Sequence, residues 1–75
     1  MKPNIGDKLI GDDSWCELVG IKGENLILVW DDGFRGEYTP GTRAYRLFHG
    51  EEITEGSLRY HRGVRSTVIN FYEGV

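Results

Sequence analysis

The aromatic residues Trp15, Trp30, Phe34, Tyr38 and Tyr45 are those best suited to recognition chemistry in this chain. Ring faces attract cations, and rings give a partner a large rigid contact at low entropy cost. The apolar run Leu26-Ile27-Leu28-Val29-Trp30 meets the turn-former Asp31-Asp32-Gly33, and Phe34 follows at once. That pattern predicts a β-hairpin with aromatics at its mouth. Phe34 directly follows a tight turn, where a ring is hard to bury. Trp30 ends an apolar run and reads as core as well as contact, and Trp15 abuts a polar turn. Trp15, Trp30, Asp31, Asp32, Phe34 and Tyr38 form the candidate partner-binding set, with the aspartates as its polar rim.

A second constellation lies in the later half. Arg43, Tyr45, Arg46, Arg59, Tyr60, Arg62 and Arg65 interleave cations with rings, the makeup of a face that pairs phosphates and stacks bases. Charge is unevenly spread: residues 1–32 hold three lysines against seven acids, and residues 33–75 hold six arginines against five glutamates. The net charge of −3 and pI near 5.2 nevertheless oppose a nucleic-acid domain, which is usually strongly basic. Single-stranded or RNA binding is therefore the alternative reading. The doublets Asp12-Asp13, Asp31-Asp32 and Glu51-Glu52 read as turn chemistry, or as a surface that imitates phosphate spacing.

Catalysis finds little support. Cys16, the single cysteine, sits in a strand pattern and reads as a small buried hydrophobe. His49 and His61 lie twelve residues apart with no acidic orienter at a characteristic spacing, and neither forms a dyad with Cys16 or Ser66. One cysteine and two histidines do not make a zinc site. The acidic turns are too short for a calcium loop, and no glycine-rich phosphate loop opens a helix. A non-catalytic protein without a cofactor is the expectation.

The elements that must position these residues are short strands. Eleven glycines fall one at a time between apolar runs, which predicts tight turns rather than a linker. Strands are predicted over residues 7–10, 15–21, 26–30, 36–39, 44–48, 58–61 and 65–72, with no long helix. Trp15, Val19 and Ile21 should share one face of the second strand, and Cys16 and Leu18 the other. Residues 26–30 are apolar on both faces and read as a central strand covered on both sides. The whole is expected to be one all-β domain over residues 1–75, a small, strongly bent SH3-like barrel of five to seven short strands with a C-terminal β-hairpin extension. A core this small supplies about 3–5 kcal/mol, so burial of the strand around residues 68–72 against a second copy would help. No signal-peptide pattern or run of about 18 apolar residues occurs, so a cytoplasmic protein with no membrane association is expected.

Residues 5–47 resemble a Tudor-type barrel. Ile5-Gly6-Asp7-Lys8 is similar to the glycine–aspartate opening of the first Tudor strand, and Asp12-Asp13-Ser14-Trp15-Cys16-Glu17-Leu18-Val19-Gly20-Ile21 resembles the acidic turn, aromatic position and strand that follow. Leu28-Val29-Trp30-Asp31-Asp32-Gly33-Phe34-Arg35-Gly36-Glu37 resembles the family's hairpin, and Ala44-Tyr45-Arg46-Leu47 its close. The resemblance implies an aromatic cage for a methylated lysine or arginine, built here from Trp15, Trp30 and Phe34. The first turn is short, Trp15 stands where two adjacent aromatics are usual, and residues 50–75 have no Tudor counterpart. The combined expectation is a module that binds a protein partner through an aromatic-lined barrel mouth, of the kind a phage or bacterium uses as a small regulator or inhibitor.

Overall fold

The alternating apolar runs form β1 (Lys8–Ile10), β2 (Trp15–Lys22), β3 (Asn25–Trp30), β4 (Arg35–Tyr38) and β5 (Arg59–His61), with one helix, α1 (Arg43–Phe48), between β4 and β5. The computed structural model describes residues 2–63. All strands lie in one antiparallel sheet in the order β4-β3-β2-β1-β5. The first strand thus pairs with both the second and the last, which draws the end of the described chain back to its start. Among the described residues the sheet does not close into a barrel, and β4 and β5 are its two edges. Five strands are present among the described residues; the strand expected at 65–72, and with it the proposed C-terminal hairpin, lies outside them.

Turn chemistry sets the hairpins. Between β3 and β4 the Gly33 amide donates to the Trp30 carbonyl at 2.8 Å, and the Trp30 amide donates to the Phe34 carbonyl at 2.8 Å. This is a three-residue loop whose last position needs the left-handed conformation that Gly33 supplies at φ 90°. Asp32 Oδ1 accepts from the Phe34 amide at 2.9 Å and holds the turn from the side-chain direction.

One face of the sheet carries Leu9, Cys16, Leu18, Leu26 and Leu28, all buried, and α1 covers it with Ala44, Leu47 and Phe48. Each buried leucine contributes roughly 1.5–3 kcal/mol. Phe48 meets Tyr60 edge-on, with centroids 5.9 Å apart and planes at 73°, which fastens the helix over the β1–β5 side.

Three expectations are corrected. Residues 44–48 are helical rather than extended. Thr42 Oγ1 caps the helix by accepting from the Tyr45 amide, and Ala44, Leu47 and Phe48 fall at helical spacing on the buried side. The other end is a Schellman motif. The Gly50 amide donates to Leu47 O and the Glu51 amide to Arg46 O, both at 3.0 Å, with Gly50 at φ 83°. A bidentate Arg46–Glu51 ion pair joins the two positions where this motif often places an apolar contact.

The second correction concerns β3. It is not the central strand, a place taken by β2; its Leu26 and Leu28 are buried, while Ile27 and Val29 on the opposite face are half-buried. The third is a β-bulge. Leu18 faces Leu28 and Gly20 faces Ile27, so Val19 is an extra residue on β2. The insertion reverses the facing of everything beyond it. Ile21 therefore stands opposite Leu26 and does not share the face of Trp15.

Candidate functional site

The bulge at Val19 also decides which aromatic residues meet. Counting back from the Lys22–Asn25 end without a bulge, Trp30 would face Glu17 and share a sheet face with Trp15. With the bulge, Trp30 faces Cys16. Trp15, which pairs with Ile10, is turned to the opposite face. A single cage of Trp15, Trp30 and Phe34 is therefore not formed. Trp15 instead supports the β3–β4 turn through its backbone, its carbonyl accepting from the Asp31 amide at 2.9 Å.

Trp30, Phe34 and Tyr38 do gather. The Trp30 indole Nε1 donates to the Tyr38 hydroxyl at 2.8 Å, with ring centroids 6.4 Å apart. Gly36 lies between Phe34 and Tyr38 on the strand and makes their approach possible. A Cβ at Gly36 would fall 2.9 Å from Phe34 Cε2 and 2.9 Å from Tyr38 Cε1. The two rings lean in from either side over a position that only glycine leaves empty. Phe34 remains 58% exposed, Trp30 and Tyr38 are half-buried, and Asp31 and Asp32 are exposed at the adjoining turn. The arrangement offers a ring surface beside carboxylates, suited to an apolar or cationic side chain. Gly36 was not among the expected site residues, although its signal was present as Phe34-x-Gly36-x-Tyr38, a lone strand glycine flanked by rings on its own face.

The described arginines of the second set are mostly engaged within the chain, and Arg43 and Arg59 both meet Gly56. Arg46 is held by Glu51, which raises the pKa of the guanidinium and lowers that of the carboxyl. Arg59 donates to the carbonyls of Gly56 and Leu58 at 3.0 and 2.8 Å, and Arg43 lies against Gly56. Arg62 stands beside Asp7 and Tyr60. Tyr45 stacks on His49 at 4.1 Å, and Tyr60 donates its hydroxyl to Asp7. Arg65 is outside the described residues. A recess of about 510 Å³ between α1 and β5, lined by Leu47, Ile53, Tyr60, Glu51, Glu52 and Arg59, has most of its polar groups already committed to these bonds.

Cys16 is fully buried, and burial pushes its thiol up to about 12, with the Asp31 charge adding to the effect. It is protonated at neutral pH and ill-suited to nucleophilic attack. His49 caps α1, its Nδ1 2.9 Å from the Tyr45 carbonyl, and His61 faces Lys8 across β1 and β5. Among the described residues no three His, Cys, Asp or Glu side chains gather to hold a metal, and no helix is long and apolar enough to cross a membrane.

No protein-family model, curated protein or solved structure matches the chain.

Proposed function

We propose that this protein is a non-catalytic binding module, an SH3-like and Tudor-like bent sheet that takes a protein partner on its aromatic edge. The observation that carries the reading is the gathering of Trp30, Phe34 and Tyr38 over Gly36, with Phe34 exposed beside the Asp31-Asp32 turn. A ring cluster of this kind has the anatomy of an interface anchor with a polar rim. In the Tudor-like reading, Tyr38 takes the third cage position in place of Trp15, and the cluster receives a cationic side chain. The return of β5 to β1 and the Val19 bulge, which bends the sheet, support the barrel-like part of the proposal. The engagement of Arg46 by Glu51 and of Arg59 by backbone carbonyls favours this edge over a nucleic-acid face.

The test compares immobilised protein with its Phe34→Ala variant in extract of the source organism, read by quantitative mass spectrometry. Proteins held by the wild-type chain should fall about tenfold or more on the variant, the loss of an interface anchor, while the melting temperature stays within a few degrees because the ring is exposed. Identical capture by a folded Phe34→Ala protein overturns the proposal.

A further inference from the structure

The outer edge of β4 carries a two-fold pattern centred on Gly36. Reading outward, Arg35 and Glu37 flank the glycine with opposite charges, and Phe34 and Tyr38 flank these with rings. Among the described residues β4 has no neighbour on this side. The backbone orientation follows from the ladder to β3. The Trp30 amide donates to the Phe34 carbonyl, so Trp30 and Phe34 occupy a bonded position, and alternation places Gly36 and Tyr38 in bonded positions as well. Arg35 and Glu37 are the intervening residues, whose amide and carbonyl groups point away from the sheet.

We infer that a second copy of this chain pairs with β4 in antiparallel register, Gly36 opposite Gly36 on the two-fold axis. The inference rests on the aromatic edge being a binding surface and names what covers the strand beside it. In this register Arg35 faces Glu37 of the partner subunit, and each pair exchanges both backbone hydrogen bonds, giving four across the axis. Phe34 faces the partner's Tyr38 in a non-bonded position, where side chains approach most closely. The two ring clusters become one surface spanning both copies.

Two features specify a second copy rather than an unrelated strand. Charges on a sheet edge ordinarily guard it against pairing, but here the charges are opposite and symmetric, so the edge is complementary to itself. Arg35 also has no hydrogen-bond or ion-pair partner within the described residues. Glu37 accepts from Asn25 through Oε2 at 2.7 Å, while its Oε1 meets only Lys22, at 4.0 Å. That oxygen is open to a guanidinium.

Sedimentation from about 10 µM to about 1 mM, the range suited to a short strand-pair interface, should show the mass rising to that of a dimer. Arg35→Glu and Glu37→Arg variants should each associate about tenfold more weakly or worse, since each places like charges opposite one another twice. An equimolar mixture of the two variants should dimerise again, because both cross-strand pairs become complementary in the heterodimer. Amide exchange at Arg35 and Glu37 in the wild-type chain should slow with concentration, a readout that needs no variant. A monomer throughout the range, an Arg35→Glu protein that sediments like wild type, or a mixture that does not recover overturns the inference. Self-association is measured without other proteins, so its failure is separate from loss of partner capture by Phe34→Ala.

Discussion

Asp7 concentrates three hydrogen bonds on one buried carboxylate. Oδ2 accepts from the Asn4 amide at 2.9 Å and from the Tyr60 hydroxyl, and Oδ1 accepts from the Gly63 amide at 2.8 Å. Burial by itself raises the Asp7 pKa, but these bonds and the nearby Arg62 charge together lower it below its ordinary 3.8. The same bond to Asp7, with burial, raises the Tyr60 pKa. A lowered folded-state pKa means that ionised Asp7 stabilises the fold above about pH 4, and that this contribution is lost as pH falls through the folded value. An Asp7→Asn protein should be about 1–3 kcal/mol less stable at pH 7, the cost of weakening buried bonds to a charged group. Its deficit should shrink progressively below pH 4. Urea titrations at pH 7, 4, 3 and 2 measure this, and a deficit that stays constant to pH 2 contradicts the role given to the carboxylate. The residue pattern offered Asp7 only as the start of a strand, since its partners at Tyr60 and Gly63 are more than fifty positions away.

The helix is the element that pattern reading misplaced, for a definite reason. Arg43-Ala44-Tyr45-Arg46-Leu47-Phe48 satisfies a strand's alternation about as well as a helix's spacing, and six residues are too few for periodicity to decide. The deciding signals are local caps: Thr42, three residues before Tyr45, and Gly50 beyond the end. Thr42 Oγ1 also donates to the Thr39 carbonyl at 2.9 Å, so one hydroxyl ties the helix start to the turn after β4. Thr42→Val should therefore cost about 1 kcal/mol, within the usual 0.5–2 for a lost cap, and Thr42→Ser should keep most of that stability. Equal urea midpoints for the three proteins would show that the cap contributes nothing.

At the scale of the whole molecule, stability depends on how few large side chains join helix to sheet. Phe48 is completely buried against Tyr60 and the leucines of β1–β3. Truncating a buried phenylalanine to alanine costs about 3–5 kcal/mol, comparable with the roughly 3–5 kcal/mol that a core of this size provides. Phe48→Ala should be largely unfolded at 25 °C, and Phe48→Leu should remain folded with a lower melting temperature. A cooperative, native-like melt for Phe48→Ala by circular dichroism would place the main source of stability elsewhere.

Strand content, the β3–β4 hairpin and its turn were legible in the chain because they depend on neighbours: alternation sets strands, and Asp31-Asp32-Gly33 sets the loop. Sequence alone therefore determined a mostly β protein with an aromatic residue left exposed at a hairpin mouth. Which rings stand together was a different kind of question. It turned on one unpaired residue, Val19, because a shift of one position moves every later side chain to the other face of the sheet. No local preference of Val19 announces that insertion. It is settled by the leucines of β2, β3 and α1 closing on one core, and that closure sends Trp15 to one face and gathers Trp30, Phe34 and Tyr38 on the other.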